Sequence, residues 1–562
     1  MKDTITNIIK NTLDICKNKG LLTIEEIPPI IIERPKREEF GDFSTNAAML
    51  IASKEGEPPR KIAEIITREI RDEGKIIKKV DIAGPGFINI FVEKGQWLKS
   101  LKDIAVIGNR YGQTNIGKGK KVQIEFVSAN PTGPLHIGHA RGAAVGDALA
   151  NILESVGYDV FKEFYINDRG RQIETLGRSC YIRYKQLLGE KASMPEDFYR
   201  GEYIKDIARD LVSKYGSKYS GDRFKICPQT PEPVQEIARF AKSILLNHIR
   251  KDLEDFGVTF NNWFSESGLY EKGFVDKTID ELRKKRVVFE QDGAAWFKTT
   301  DFDDDKDRVL EKADGEKTYF ASDAAYHLDK INRKFDTIIN IWGADHHGYE
   351  ARIRAVFKAM GYDDKEMLKI IFVQLVSLLR NGVNVPMGKR EGDFVTLRQV
   401  LDEVGRDACR FFFLMRKSDA HLEFDLELAK KQAPENPVFY VQYAYARICS
   451  IIKHAKENNV ECPCSEDVDL SLLNQDEELT IIKTLVSFPD VLETCAVSLE
   501  PHKLTFYLQE LAGIFHPYYN KNRVVSPDNI PLSKSRLFLC NAVKTVIKNG
   551  LSILKVSAPD VM

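Results

Sequence analysis

His136-Ile137-Gly138-His139 is the stretch of this sequence best suited to handling charge in transit. Two imidazoles three residues apart share one helical face, where both donate hydrogen bonds to phosphate oxygens. Gly138 between them carries no side chain to keep a flat base away from the backbone. Ahead of them, Ala129-Asn130-Pro131-Thr132-Gly133-Pro134 is a turn sequence. Two surface histidines after a turn are the plain alternative. The Pro-Thr-Gly-Pro context favours a site that stabilises charge building up during phosphoryl or nucleotidyl transfer.

Such side chains need a corner to hold them. VQIEFV from Val122 reads as a strand, the stretch to about Val156 as a helix and DVFKEFYI from Asp159 as a second strand, which is a βαβ unit of a parallel sheet. At such a corner the amide donors and dipole of the helix N-terminus point at anions, so a triphosphate fits there. TIINIWG near 340 and IIFVQLVSLL near 375 read as further buried parallel strands, with a mainly helical, polar insertion from about 175 to 285.

Residues 1 to about 110 read as a small α+β unit. It has a helical start, Gly41-Asp42-Phe43, a helix spaced by Ile62, Ile65 and Ile66, and a strand-like Phe87–Val92. Tyr111 to Lys120, rich in Gly and Lys, reads as a linker. After about Ala420 only helical periodicity remains, as in NPVFYVQYAYARICSIIKHA and KLTFYLQELAGIFHPYYNK. The predicted class is therefore α/β, a Rossmann-like domain with an insertion over 111–420, between an α+β unit at 1–110 and an all-α bundle at 421–562.

Composition bounds the rest. A chain of 562 residues exceeds one domain, and 43% hydrophobic with 29% charged residues is the profile of a folded soluble protein. A net charge of −1 argues against nonspecific coating of nucleic acid but not against a basic face. The opening MKDTITNIIKNTLDICKNKG lacks a signal-peptide core, and no run approaches membrane-spanning length. Nine cysteines, dispersed except for Cys462 and Cys464, suit reduced thiols in the cytosol. The Cys-Pro-Cys has no second pair, so no structural zinc is expected.

On these residues a resemblance becomes specific. His136-Ile-Gly-His139 resembles the HIGH signature of class I aminoacyl-tRNA synthetases, and VSANPTGPLHIGHARGA resembles the bacterial-type arginyl enzymes. The likeness continues through YINDRGRQI at 165–173, TYFASDAAYHLDK at 318–330, WGADHHGY at 342–349, NPVFYVQYAYARI at 436–448 and the terminal VSAPDVM. It implies a catalytic Rossmann-like domain, arginine and ATP with Mg²⁺ as reactants, and tRNA(Arg) held at D-loop, anticodon and acceptor end.

The family's second signature, KMSKS, corresponds to a degenerate Pro386-Met387-Gly388-Lys389-Arg390-Glu391-Gly392. Many arginyl enzymes use a lysine just before HIGH instead, but Gly133 stands there, so Lys389 is expected to keep the role. An ammonium on a glycine-flanked loop can close over the pyrophosphate as charge develops on it; a solvated Lys-Arg pair is the plain alternative. Met387, Gly388 and Arg390 are expected beside the nucleotide, as is Gly138. The family's eukaryotic members carry a glutamine after the strand near 342, absent here; Asp345 and His346 are expected at the ATP ribose or base instead.

A guanidinium requires carboxylates placed for its fork of donors. By resemblance, Glu125 and Asp323 face the substrate guanidinium with Tyr319, while Ser128 and Asn130 hold its α-amino or carboxylate end. Two acids and a tyrosine favour arginine over lysine, which leaves acceptors unpaired in a desolvated site. Each acid taken alone reads as an ordinary surface or ion-pair residue.

The resemblance also assigns RNA contacts. The N-terminal unit is similar to the family's D-loop reader, with Phe87 stacking on a flipped base and Asn89 reading its edge; a core strand is the alternative for Phe87. Tyr443, Arg447 and Met562 are expected at the anticodon, although at least half of Tyr440, Tyr443 and Tyr445 should be structural.

The expected reaction has two steps: arginine carboxylate attacks the ATP α-phosphate, then a tRNA ribose attacks the anhydride. The resemblance implies activation only with tRNA bound, no editing domain, a monomer and a cytoplasmic enzyme. The competing readings are a cysteinyl or lysyl synthetase and a catalytically silent tRNA-binding paralogue.

Overall fold

The computed structural model describes residues 1–35, 37–221, 232–385 and 395–562. Its first unit comprises α1 (Lys2–Asn18), β1 (Ile32–Glu33), β2 (Phe43–Thr45), α2 (Ala47–Glu55), α3 (Pro59–Glu69), β3 (Ile77–Ala83), β4 (Phe87–Val92) and α4 (Lys94–Ile107). The strands form an antiparallel sheet in the order β1-β2-β4-β3. α3 buries Ile62, Ala63 and Ile66, a stripe with helical spacing, and begins at Pro59, whose missing N–H costs nothing in a first turn.

The middle of the chain is built on β5 (Lys121–Glu125), α5 (Ile137–Ser155), β6 (Asp159–Ile166), α6 (Arg171–Leu187), α7 (Glu202–Tyr215), α8 (Glu232–Asp255) and β7 (Asn262–Ser265). α9 (Glu266–Glu271), α10 (Phe274–Lys284), a meander of β8 (Val288–Gln291), β9 (Ala294–Phe297) and β10 (Arg308–Glu311), and α11 (Tyr319–Asn332) lead to β11 (Thr337–Gly343). α12 (Glu350–Met360), α13 (Asp364–Met367) and β12 (Leu368–Val373) complete a five-stranded sheet, ordered β12-β11-β5-β6-β7 with every pair parallel. β5 and β11 are neighbours where the strand order reverses, so the crevice beyond their carboxyl ends is the place where such sheets bind ligands.

Two expectations are refined. The run IIFVQLVSLL is not one strand: it divides at Gln374 and Leu375, and β13 (Val376–Arg380) joins β14 (Val383–Asn384) and β15 (Leu422–Asp425) in a separate sheet. The reason is Arg141, fully buried on α5, which donates to the carbonyls of Gln374 (2.9 Å), Lys417 (2.9 Å) and Ala420 (2.8 Å) and pins the break. The insertion carries β7, four residues with no alternating apolar pattern, which pairs with β6 at the edge of the main sheet.

α14 (Leu397–Val404), α15 (Arg406–Leu414) and α16 (Leu426–Lys430) pass into five long helices: α17 (Pro437–Glu457), α18 (Asp476–Val486), α19 (Phe488–Ser498), α20 (His502–Lys521) and α21 (Ile530–Ile553). Asn436 caps α17 through the Val438 amide at 3.2 Å. One buried cluster runs from Ile5 of α1 through the sheet to Val556 beyond α21. The stretch read as a linker is docked: Asn549 of α21 donates to the carbonyls of Gly108 and Tyr111, and the Tyr111 ring stacks on Phe488.

Candidate active site

The site begins where β5 ends. Val127 and Ser128 both adopt left-handed backbone (φ 69° and 42°), a strained pair for non-glycine residues. The strain is held by hydrogen bonds: the Ser128 hydroxyl donates to Glu125 Oε1 at 2.8 Å and accepts from the Tyr165 N–H at 3.2 Å. Asn130 donates to Gln172 at 2.7 Å, so one end of the predicted pocket is tied to α6.

His136 is the N-cap of α5. Its Nδ1 accepts from the Gly138 N–H at 3.1 Å, and His139 Nδ1 accepts from the His136 N–H at 3.3 Å, with the rings stacked 3.6 Å apart. Because both Nδ1 atoms accept from backbone, each ring in its neutral form carries its proton on Nε2, an atom that is buried in His136. A Cβ at Gly138 would lie 3.0 Å from the His136 ring, so glycine keeps that imidazole in place. Gly146 plays the matching part further along α5, since a Cβ there would meet Phe126 at 2.3 Å.

Met387, Gly388, Lys389 and Arg390 lie outside the described residues. Thr396, which follows them, bridges to His136, and the Leu397 N–H donates to the Leu135 carbonyl at 2.7 Å. The histidine corner and the chain after position 394 are therefore in direct contact.

Beside Glu125 the structure gathers acids from three elements. Glu125 is 6% exposed at the end of β5, Glu266 is 3% exposed at the start of α9, and Asp323 lies on the first turns of α11. Burial pushes the Asp323 carboxyl up to about 7, with repulsion from Glu266 and Glu125 adding to it and the Tyr349 hydroxyl and Lys330 opposing. Burial also raises Glu266, whose Oε2 accepts no hydrogen bond from the described residues. The Tyr165 hydroxyl is raised by burial and then by the charges of Asp323, Glu266 and Glu125. Tyr319 is 58% exposed, its hydroxyl 3.0 Å from where a Gly170 Cβ would stand.

Three largely buried carboxylates, of which only Glu125 is paired with a lysine among the described residues, are a receptor for a cation with several N–H donors. The sequence reading found Glu125 and Asp323 but missed Glu266, a lone acid after a strand too short to announce itself. It also missed Glu163, fully buried on β6, which accepts from Gln123, Asn262, Tyr326 and twice from Arg333 and is thereby held below the usual carboxylate range. Asp345 and His346 sit just past β11 on an exposed 3₁₀ turn.

Residues 100–425 match the family model for the class I tRNA synthetase (R) catalytic domain, with the arginyl tRNA synthetase N-terminal domain at 2–92 and the DALR anticodon binding domain at 441–562. The chain is 51% identical to an arginine–tRNA ligase of a Geobacter species, over all 562 residues and the whole of that protein. The chain belongs to the arginyl-tRNA synthetase family.

A second arginine–tRNA ligase, from Listeria monocytogenes, is 47% identical over 96% of this chain and 95% of its own. A Campylobacter jejuni arginyl-tRNA synthetase structure matches at 35% identity with TM-score 0.76, covering 84% of this chain and 100% of that one. The Thermus thermophilus arginyl-tRNA synthetase shares the fold across both full chains, with TM-score 0.78 at 20% identity.

In this arginyl-tRNA synthetase fold, a cavity of about 720 Å³ opens in the C-terminal helices and is lined by Tyr443, Arg447, His454, Tyr519, Arg523 and Met562, among others. It brings together all three residues expected at the anticodon. Arg447 donates to the Tyr443 hydroxyl at 2.7 Å and lies over the Tyr443 and Tyr519 rings at 4.5 and 4.9 Å. Tyr445 is buried, while Tyr440 packs on His516. On β4, Phe87 is 40% exposed but Asn89 only 4%, so the two expected D-loop contacts differ in access.

Proposed function

We propose that the chain activates arginine with ATP and transfers it to the 3′ end of tRNA(Arg). The observation that carries this is the meeting of Glu125 and Asp323, from distant parts of the sequence, at the carboxyl edge of the sheet where the stacked histidines cap α5. In this reading the guanidinium lies among Glu125, Asp323 and Tyr319, with Ser128 and Asn130 at the α-amino and carboxylate end. ATP lies over Gly138, Asp345 and His346, with Mg²⁺ carried on its phosphates.

The arginine carboxylate attacks the α-phosphorus, the bond to the bridging oxygen breaks, and pyrophosphate leaves. His136 and His139 donate from Nε2 to the charge that develops, and Lys389, flanked by Met387, Gly388 and Arg390, meets the leaving group. The tRNA ribose oxygen then attacks the anhydride carbonyl and releases AMP. Binding holds the reacting atoms together throughout, and no covalent enzyme intermediate is needed.

Tyr443, Arg447 and Met562 form the anticodon pocket of this reading, and Phe87 with Asn89 the D-loop contact. Three working units at 1–110, 111–420 and 421–562 belong to it, as do a monomeric state and a cytosolic place of action. Free thiols support the last point, and no helix among the described residues is long and apolar enough to cross a membrane. ATP–pyrophosphate exchange tests the reading: exchange with arginine, not lysine or cysteine, and only with tRNA present is the expected result. Exchange at full rate without tRNA contradicts the tRNA requirement, and charging of another amino acid contradicts the specificity.

A further inference from the structure

Lys330 is a charge buried without exposure, eleven residues along α11 from Tyr319. Its Nζ donates to Glu125 Oε2 at 2.6 Å and to Asn340 Oδ1 at 2.7 Å, and lies 4.3 Å from the centre of the Tyr326 ring. A buried ammonium persists only where its partners are fixed. Glu163, the other carboxylate in its field, already takes two hydrogen bonds from Arg333, so Lys330 offsets the acid cluster through Glu125.

The partners form a directed chain. The Asn340 amide oxygen faces Lys330, so its NH₂ donates to His327 Nε2 at 2.8 Å, and His327 Nδ1–H donates to the Asp323 carbonyl at 2.7 Å. Burial first, and Lys330 second, keep that imidazole neutral, which the chain requires. One ammonium thus anchors Glu125 directly and the backbone of Asp323 through two uncharged links.

We propose that Lys330 is a positioning residue for arginine selection: it turns Glu125 so that only Oε1 faces the substrate, and the guanidinium straddles Glu125 and Asp323. Oε1 accepts from Ser128 and keeps a second lone pair, whereas a guanidinium on Oε2 would stand against the Lys330 ammonium, like charge on like charge. A lysine substrate spans the two acids poorly, since its donors radiate from one nitrogen. This inference rests on the reading of the acid cluster as the arginine site.

The test is pyrophosphate exchange by the full-length enzyme with tRNA, reading KM for arginine and for ATP separately in K330M, E125Q and E125Q/K330M. K330M is expected to raise the arginine KM roughly 10- to 100-fold, as loss of a charged hydrogen bond does, with the ATP KM within about twofold. The Asn340 and His327 links end on the Asp323 backbone and not on its carboxylate, so Lys330 acts on the substrate through Glu125, and the double variant is expected to match E125Q alone within about threefold, a comparison that stands even if K330M does not fold. A double variant far worse than E125Q in arginine KM, or a K330M that raises both KM values together, overturns the inference while leaving the arginine site intact. An E125Q enzyme with unchanged arginine KM overturns the site reading itself and the inference with it.

Discussion

At the scale of single residues, the site is governed by how much negative charge it can hold before the cation arrives. Asp323 has its proton affinity raised to about 7 by burial and by Glu266 and Glu125. A guanidinium favours the carboxylate form, so binding below pH 7 must expel a proton. The arginine KM in exchange is therefore expected to climb as pH falls below about 7, approaching tenfold per unit, with the ATP KM flat. The groups facing Asp323 are Tyr349, Glu266, Glu125 and Lys330, and burial raises Glu266 as well. In D323N the Asp323 part of that limb should vanish. The sign for the empty fold is the opposite: with a folded value above the unfolded one near 3.8, Asp323 opposes the empty fold as pH rises from about 4 to 7, and a fixed excess of arginine should raise the melting temperature more at pH 8 than at pH 6.

At the scale of elements, the reacting groups are placed by close approach of a helix to a strand. Phe126 lies against Gly146, and a Cβ there would sit 2.3 Å from the ring. Gly146→Val is therefore expected to push α5 off β5, destabilising by about 1–3 kcal/mol in denaturant melts and cutting exchange activity more than tenfold, since His136 and His139 ride on that helix. A melt and an exchange rate equal to those of the parent would show that the corner is not set by this contact. β7 was hidden because four half-buried residues carry no period, and the run near 375 read as one strand because apolar content does not report where Arg141 will capture a carbonyl.

At the scale of the whole molecule, the units are joined by buried hydrogen bonds. Arg410 of α15, fully buried, donates to Asp147 on the histidine helix (2.7 Å), to the Phe256 carbonyl beyond α8 (3.1 Å) and to the Leu554 carbonyl beyond α21 (2.7 Å). Among the described residues R410M leaves Asp147 with Lys162 and Asn151, and it is expected to cost about 3–5 kcal/mol and to split one calorimetric transition into two. A single unshifted transition would show the units unfold independently of this junction. Arg447, in the C-terminal cavity, belongs to recognition instead: R447A is expected to raise the KM for tRNA at least about tenfold in aminoacylation with melting changed by little, and an unchanged KM would remove that cavity from the tRNA path.

The sequence by itself determined the strand-turn-helix corner at 125–139, the parallel sheet with its insertion and the C-terminal helices, because hydrophobic period, turn residues and capping are local properties. Only the tertiary structure decided which acids share one dielectric. Glu266 and Lys330 read in isolation as solvated side chains, and they acquire their chemistry from being closed off beside Glu125 and Asp323, where charge interactions are strong. Burial is a property of the packed whole, and no spacing along the chain encodes it.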